Sequence, residues 1–250
     1  MKTAILTGAA GGIGSAIALR LAKDGAFVVL VGRTASTLQV IADRIQELPD
    51  NPGVAVSVLD VTDPDAVEKF YRETVPPDIL VNTAAGAAVI SPITQTSYAD
   101  WMNTIQSDLT STFLMCKGAA NAMMPLGSGR IVNMASYHAL GSYPNRSAYA
   151  AAKGGVVALT QQLAVELGPY HITVNAISPG AILTPRTRGF LTTDHKIQGR
   201  LIQRTPLGRL GTPEDVADTV AWLAGDGAQH VTGQNIVVDG GFQVCLNPLS

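Results

Sequence analysis

Tyr149 and Lys153 stand four residues apart in an Ala-rich stretch, so in a helix they share one face. A phenol can give or take a proton and so can serve as a general acid or base. Its ordinary pKa of about 10 is too high for a base near neutral pH. A nearby ammonium favours the phenolate and brings that value down. The pair reads as a proton-transferring phenol with a cationic support. Ser136 follows the apolar run Arg130–Met134. A hydroxyl at a strand's end can hold a ligand oxygen beside that phenol. Taken singly, each residue has an ordinary explanation: an exposed helix-surface pair, and a strand-end serine.

A second stretch with chemical meaning is Thr7-Gly8-Ala9-Ala10-Gly11-Gly12-Ile13-Gly14, directly after the first apolar run. Glycines between a strand and a helix let the backbone turn tightly, and the helix start offers free N–H groups to a pyrophosphate. The spacing departs from G-x-G-x-x-G and lacks the Lys-Ser/Thr of a P-loop. A turn that only packs helix against strand is the alternative. The second apolar run ends Val31-Gly32-Arg33-Thr34, without the acid that would bond the ribose hydroxyls of NAD. Arg33 suits a 2′-phosphate, which points to NADP(H) as the preferred cofactor with NAD(H) as the lesser one. A solvated arginine at a helix start is the competing explanation.

Other candidates weigh less. His138 and Tyr143 either line a pocket or sit on a surface loop, and the surface is the commoner place for such residues. His195 is a lid contact or, more ordinarily, a solvent-exposed histidine. His171 and His230 lack partners at ligand spacing, so no metal is expected. Cys116 and Cys245 form no disulfide framework and read as free thiols.

The elements that must position these groups alternate from end to end. Strands are expected at Lys2–Thr7, Phe27–Val31, Val54–Leu59, Ile79–Val81, Arg130–Met134, Ile172–Ala176 and Asn235–Val238. Helices are expected at Gly12–Lys23, Ser36–Leu48, from Pro64 through Phe70, Tyr98 to about Met124, Ser147–Leu167 and Pro213–Leu223, the last capped by Thr212. Strand–helix alternation predicts a single doubly wound α/β domain, a Rossmann-type parallel sheet with helices on both faces. Thr184 to about Arg209 reads as a long irregular substrate loop or lid.

Composition narrows the classes. The chain has 250 residues, 46% hydrophobic and 14% charged, with net charge -2. That suits one buried core and argues against disorder. No basic run interleaves with aromatics, so nucleic acid is not an expected partner. No signal peptide or membrane span is visible, and a soluble cytoplasmic protein is expected.

Six short motifs, in order, resemble the short-chain dehydrogenase/reductase family along essentially the whole chain. Thr7–Gly14 resembles its TGxxxGxG loop, and Asp60-Val61 its adenine contact. Asn82-Thr83-Ala84-Ala85-Gly86 resembles its NNAG turn, with Thr for the second Asn and one extra Ala. Ser136 and Tyr149-Ala-Ala-Ala-Lys153 match its Ser and YxxxK elements. Pro179-Gly180-Ala181-Ile182-Leu183-Thr184 resembles the PGxxxT stretch beside the nicotinamide, and Asp239-Gly240-Gly241 its C-terminal ending. Where the family often places an Asn before the serine strand, this chain has Asp108.

The resemblance implies catalytic roles for Ser136, Tyr149, Lys153 and the Asp108 position. It implies cofactor contacts from Gly8, Gly11, Gly12, Ile13, Gly14, Asp60, Val61, Asn82, Ala84, Gly86, Pro179, Gly180, Ile182 and Thr184, with Tyr149 and Lys153 shared. The implied reaction interconverts a secondary alcohol and a ketone by hydride transfer, on a small molecule, in a homotetramer. The segments Pro206-Leu207-Gly208-Arg209 and Gly211-Thr212-Pro213-Glu214-Asp215 resemble the 3-oxoacyl-carrier-protein reductase and sugar-alcohol dehydrogenase branch. A non-catalytic nucleotide sensor is the second class, against which the intact Ser136, Tyr149 and Lys153 count. A scaffold protein is the third, and would have no use for the glycine loop.

Overall fold

Short runs of β-branched residues with little polar alternation must bury both faces, which a parallel sheet covered by helices provides. The computed structural model describes residues 1–245 apart from 51, 88, 142 and 194 and, within that range, side chains outside 190–196. The strands are β1 (Thr3–Thr7), β2 (Phe27–Gly32), β3 (Val54–Val58), β4 (Ile79–Asn82), β5 (Gly129–Met134), β6 (Ile172–Pro179) and β7 (Asn235–Val238). Among the described residues they form one seven-stranded sheet in the order β3-β2-β1-β4-β5-β6-β7, with every pairing parallel.

The strand period of two sorts side chains to two helical layers. Ala4 and Leu6 of β1 face a core shared with α1 (Gly12–Lys23), α2 (Ala35–Gln46) and α9 (Pro213–Ala224). Ile5 faces the other, shared with α3 (Pro64–Glu73), α5 (Ser111–Met123) and α6 (Ser147–Leu167). Ile5, Leu6, Ile17, Leu38, Leu80 and Ile131 are fully buried. Each contributes about 1.5–3 kcal/mol of transfer free energy, which holds the strand ends in register.

Strand order reverses between β1 and β4, and a ligand crevice opens at the carboxyl ends of such strands. Gly8 begins the loop there with φ +66, and a Cβ on it would lie 2.7 Å from the Ala84 nitrogen. No other residue type permits β1 and β4 to approach so closely at their ends.

Three elements differ from the sequence reading. The expected loop at 184–209 is largely helical, with α7 (Pro185–Thr193) and α8 (His195–Arg204). Thr and Gly within α7 are poor helix formers, so local propensity hides it and tertiary context supplies the helix. The long helix from Tyr98 is continuous but not α-helical throughout. Helix α4 (Tyr98–Ile105) passes through a π turn at Gln106–Thr110 into α5. Strand β6 runs three residues further than expected, because Pro179 still pairs with Val238 at the end of the sheet.

Candidate active site

Each chemically active side chain is placed by the end of a strand or the start of a helix. Ser136 follows β5 and is buried; its Oγ accepts the His138 backbone N–H at 3.3 Å. Tyr149 and Lys153 sit in the first two turns of α6, on one face, and the Lys153 Nζ lies 5.7 Å from the centre of the Tyr149 ring. Both line one cavity of about 410 Å³ together with Ser136, the glycine loop and Thr184. The sequence-predicted groups are thus brought together.

Lys153 is 3% exposed, and a buried ammonium needs partners. Its Nζ donates to the Met134 carbonyl at 3.0 Å and faces the Asp108 Oδ1 at 3.2 Å. The Asp108 contact has ion-pair distance but no aligned hydrogen bond at Oδ1. At that separation, attraction between two full charges does not depend on alignment. The other carboxylate oxygen, Oδ2, accepts the Gly86 N–H at 3.1 Å and the Ser107 hydroxyl at 2.6 Å. The Asp108 backbone carbonyl accepts the Thr112 hydroxyl at 3.0 Å. The π turn carries Asp108 inward, so that its side chain, with its backbone carbonyl occupied, meets Lys153.

The dinucleotide side is built from backbone. Helix α1 has Gly11 at its N-cap with no side-chain cap, leaving its first N–H groups to a ligand. A Cβ on Gly12 would lie 2.8 Å from the Thr184 Cβ, so the loop and the Pro179–Thr184 stretch form one narrow cradle. Such a cradle fits the phosphates of a dinucleotide. Ile13, Gly14, Pro179, Gly180 and Ile182 line it as well. A neighbouring cavity is lined by Gly8, Gly11, Arg33, Thr34, Thr37, Asp60, Val61, Ala84 and Gly86. Arg33 is exposed at its mouth. The Asp60 carboxyl is held below its ordinary range mainly by the Thr62 backbone N–H at 3.0 Å and the Thr62 hydroxyl at 2.8 Å.

Asn82 lines neither cavity. It is buried, and its Nδ2 donates to the Asn133 Oδ1 at 3.0 Å, while Asn133 Nδ2 donates to Thr160 at 3.0 Å. Asn82 thereby ties β4 to β5 and α6. The Thr that replaces a usual Asn is also accounted for: the Thr83 hydroxyl donates to the Thr7 carbonyl at 2.6 Å, and Thr7 Oγ1 accepts the N–H groups of Thr83 and Ala84.

His138 is not on an exposed loop. It is buried in the cavity wall, stacked on Tyr137 at 4.2 Å and edge-on to Tyr149 at 5.6 Å between ring centres. Burial, helped by the Arg146 charge, pushes its imidazole down to about 4, so it is neutral at physiological pH. Tyr143 is half-turned to solvent and packs edge-on against Tyr137 and His138. The His195 side chain lies outside the described residues. Sequence reasoning missed Asn133, Ser107, Arg146 and Arg186. A buried Asn in an apolar strand was a usable signal for the first; the other three depend on tertiary placement. Arg186 of α7 reaches across the cleft and donates to the Gly86 carbonyl at 2.8 Å. Among the described residues no helix is long and apolar enough to cross a membrane.

A family model described as enoyl-(acyl carrier protein) reductase matches residues 8–243. A D-beta-hydroxybutyrate dehydrogenase of Rhizobium meliloti is 36% identical, covering 96% of this chain and 98% of its own. An NAD-dependent glycerol dehydrogenase of Listeria innocua is 37% identical, covering 97% and 94%. A Beutenbergia cavernae protein described as an NAD(P)-dependent gluconate 5-dehydrogenase, solved with NADP, superposes with TM-score 0.90 at 36% identity, covering 97% of both chains. With a family model that spans nearly the whole chain and end-to-end relatives that are dehydrogenases, this chain belongs to the short-chain dehydrogenase/reductase family and is an oxidoreductase acting between alcohols and carbonyls.

Proposed function

We propose that this enzyme interconverts a secondary alcohol and a ketone on a small molecule, prefers NADP(H) over NAD(H), and uses Tyr149 as its general acid and base. The observation that carries the reading is Lys153, buried between Asp108 and the Met134 carbonyl beside Tyr149, in the same cavity as Ser136 and the glycine loop. When bound, a nicotinamide cofactor supplies the hydride chemistry. The chain's own residues handle the proton and the orientation. Ser136 Oγ holds the substrate oxygen at the end of β5. Tyr149 gives its phenolic proton to that oxygen in reduction and takes it in oxidation. Lys153 provides the cationic neighbour that a phenolate requires. Gly8, Gly11, Gly12, Ile13 and Gly14 would hold the pyrophosphate, and Pro179, Gly180, Ile182 and Thr184 the nicotinamide end.

The preference for NADP(H) rests on Arg33 at the end of β2, where no acid stands to bond ribose hydroxyls. The test is loss of NADPH absorbance with a ketone panel of acyl thioesters, ketoses, cyclic ketones and oxo acids. Turnover is expected with at least one class, and Tyr149→Phe should lower kcat by about a thousandfold or more while cofactor binding survives, since general acid–base catalysis is worth roughly 10²–10⁴. Activity of the variant within tenfold of the parent would place the acid elsewhere.

A further inference from the structure

The cavity beside Tyr149 carries positive charge and no acid. Among the described residues that line it there is no Asp or Glu, while Arg146, Lys153 and Arg186 all contribute. Two of these charges already have work. Lys153 is met by Asp108 from behind, and Arg186 is turned to the Gly86 carbonyl. Arg146 differs. Among the described residues it joins no ion pair. It is half-buried, occupies the N-cap position of α6, and makes no side-chain capping bond there. It lines the cavity together with Tyr137 and His138, and its charge acts on both. A cation held partly out of water among neutral rings is costly until an anion joins it.

That anion is not a cofactor phosphate. The glycine loop offers its N–H groups to the pyrophosphate, and the adenosine-side cavity is lined by Arg33 and Arg186 but not by Arg146. Arg146 lines only the cavity that holds Ser136 and Tyr149, three residues before Tyr149, on the side away from the adenosine cavity. The helix spacing keeps the two side chains roughly one turn apart. The anionic group and the carbinol carbon are therefore separated by only a few bonds. A guanidinium matches a carboxylate with two parallel hydrogen bonds. Beside it in the cavity wall, His138 presents a neutral imidazole, which adds no competing charge.

We propose that Arg146, with His138 at its side, is a carboxylate-binding subsite, and that the substrate is a short hydroxy acid whose product is the oxo acid. The proposal rests on the oxidoreductase reading above. In the forward direction the alcohol carbon gives up a hydride, for which an oxidised nicotinamide dinucleotide is the acceptor. The hydroxyl gives its proton to Tyr149, and the carboxylate stays ionised on Arg146 throughout.

The test compares matched pairs. 3-Hydroxybutanoate and 4-hydroxycyclohexanecarboxylate are each run against their methyl esters with oxidised cofactor. The parent enzyme should favour the acid of at least one pair by about tenfold or more in kcat/KM, the size of one charge-assisted hydrogen bond. Arg146→Ala should collapse that acid-to-ester ratio, chiefly through KM, and Arg146→Lys should restore part of it. Equal preference for acid and ester in the parent, or an unchanged ratio in Arg146→Ala, overturns the subsite. A second readout does not need turnover. Cyclohexanecarboxylate should bind the purified protein in calorimetry, the corresponding amide should not, and Arg146→Ala should abolish the difference. Arg146-dependent carboxylate binding with no turnover of any alcohol or ketone would uphold the subsite and sink the oxidoreductase mechanism. Equal binding of acid and amide would sink the subsite alone. Unchanged circular dichroism and melting of both variants secures that they are folded, as expected where the side chain caps nothing.

Discussion

At the scale of single residues, the site is decided by what faces Lys153. An Asn at position 108 would be neutral; Asp108 brings a carboxylate to 3.2 Å from the Nζ and so offsets part of the positive field at Tyr149. Asp108→Asn keeps an oxygen for the Gly86 N–H and Ser107 hydroxyl but takes away the charge that meets the buried Lys153 ammonium. Removing one side of a buried pair leaves the other charge uncompensated. The variant should therefore melt at a lower temperature than the parent, and an unchanged Tm in scanning calorimetry would contradict the pairing. Arg33 carries the second residue-scale prediction. Arg33→Ala should weaken NADPH by about tenfold, the worth of a charge-assisted bond to phosphate, and weaken NADH far less. Equal losses, read by fluorescence titration of both cofactors, would make Arg33 an ordinary solvated side chain.

At the scale of elements, the glycine loop is only as rigid as the helix layer behind it. Helix α1, which begins in that loop, packs along α9 through a shared core containing Ile17, Leu21, Val216, Val220 and Leu223. Helix α9 is started by a capping box: Thr212 Oγ1 accepts the Asp215 N–H at 3.3 Å, and Asp215 accepts the Thr212 N–H at 2.8 Å. Arg209 bonds the same carboxylate and is the main reason it is held down to about 2. Thr212→Ala removes one half of the box and should cost about 1 kcal/mol. In a chain of this size that is a fall in Tm of roughly 2–4 °C. Scanning calorimetry reads it directly, and kcat/KM at 25 °C should stay within about twofold.

At the scale of the whole molecule, apolar side chains are left facing outward on the helices that flank the site. Phe113 on α5 is 46% exposed and Val165 on α6 is 74% exposed, with Tyr98 and Met102 of α4 also open. Helices apolar on more than one face commonly pair across two-fold axes. We propose a homotetramer. Light scattering at micromolar concentration should give four times the chain mass, and Phe113→Glu should shift it to smaller species. A monomeric parent protein would rule this assembly out.

Much of this was legible before any coordinates, and the reason is local. Strand periods of two, the glycine loop, the i,i+4 spacing of Tyr149 and Lys153 and the Thr212 cap are short-range facts, so the alternating α/β order, the parallel sheet and the core of the site could be read from residue types alone. What tertiary structure decided were the features that depend on distant partners. Helix α7, with Pro, Gly and three Thr in nine residues, is poor in local helix signals, so the segment read as a loop although α8 is locally amphipathic. The bond between the buried amides of Asn82 and Asn133 joins residues far apart in the chain. His138 looked like a surface residue until the wall formed with Tyr137 and Tyr149 enclosed it. The π turn that carries Asp108 leaves no mark in composition or period, and the partners of its side chain, Lys153 and Gly86, are distant in the chain. The acid-free lining around Arg146 is likewise a property of the assembled cavity: a missing charge can be seen only once every wall is in place.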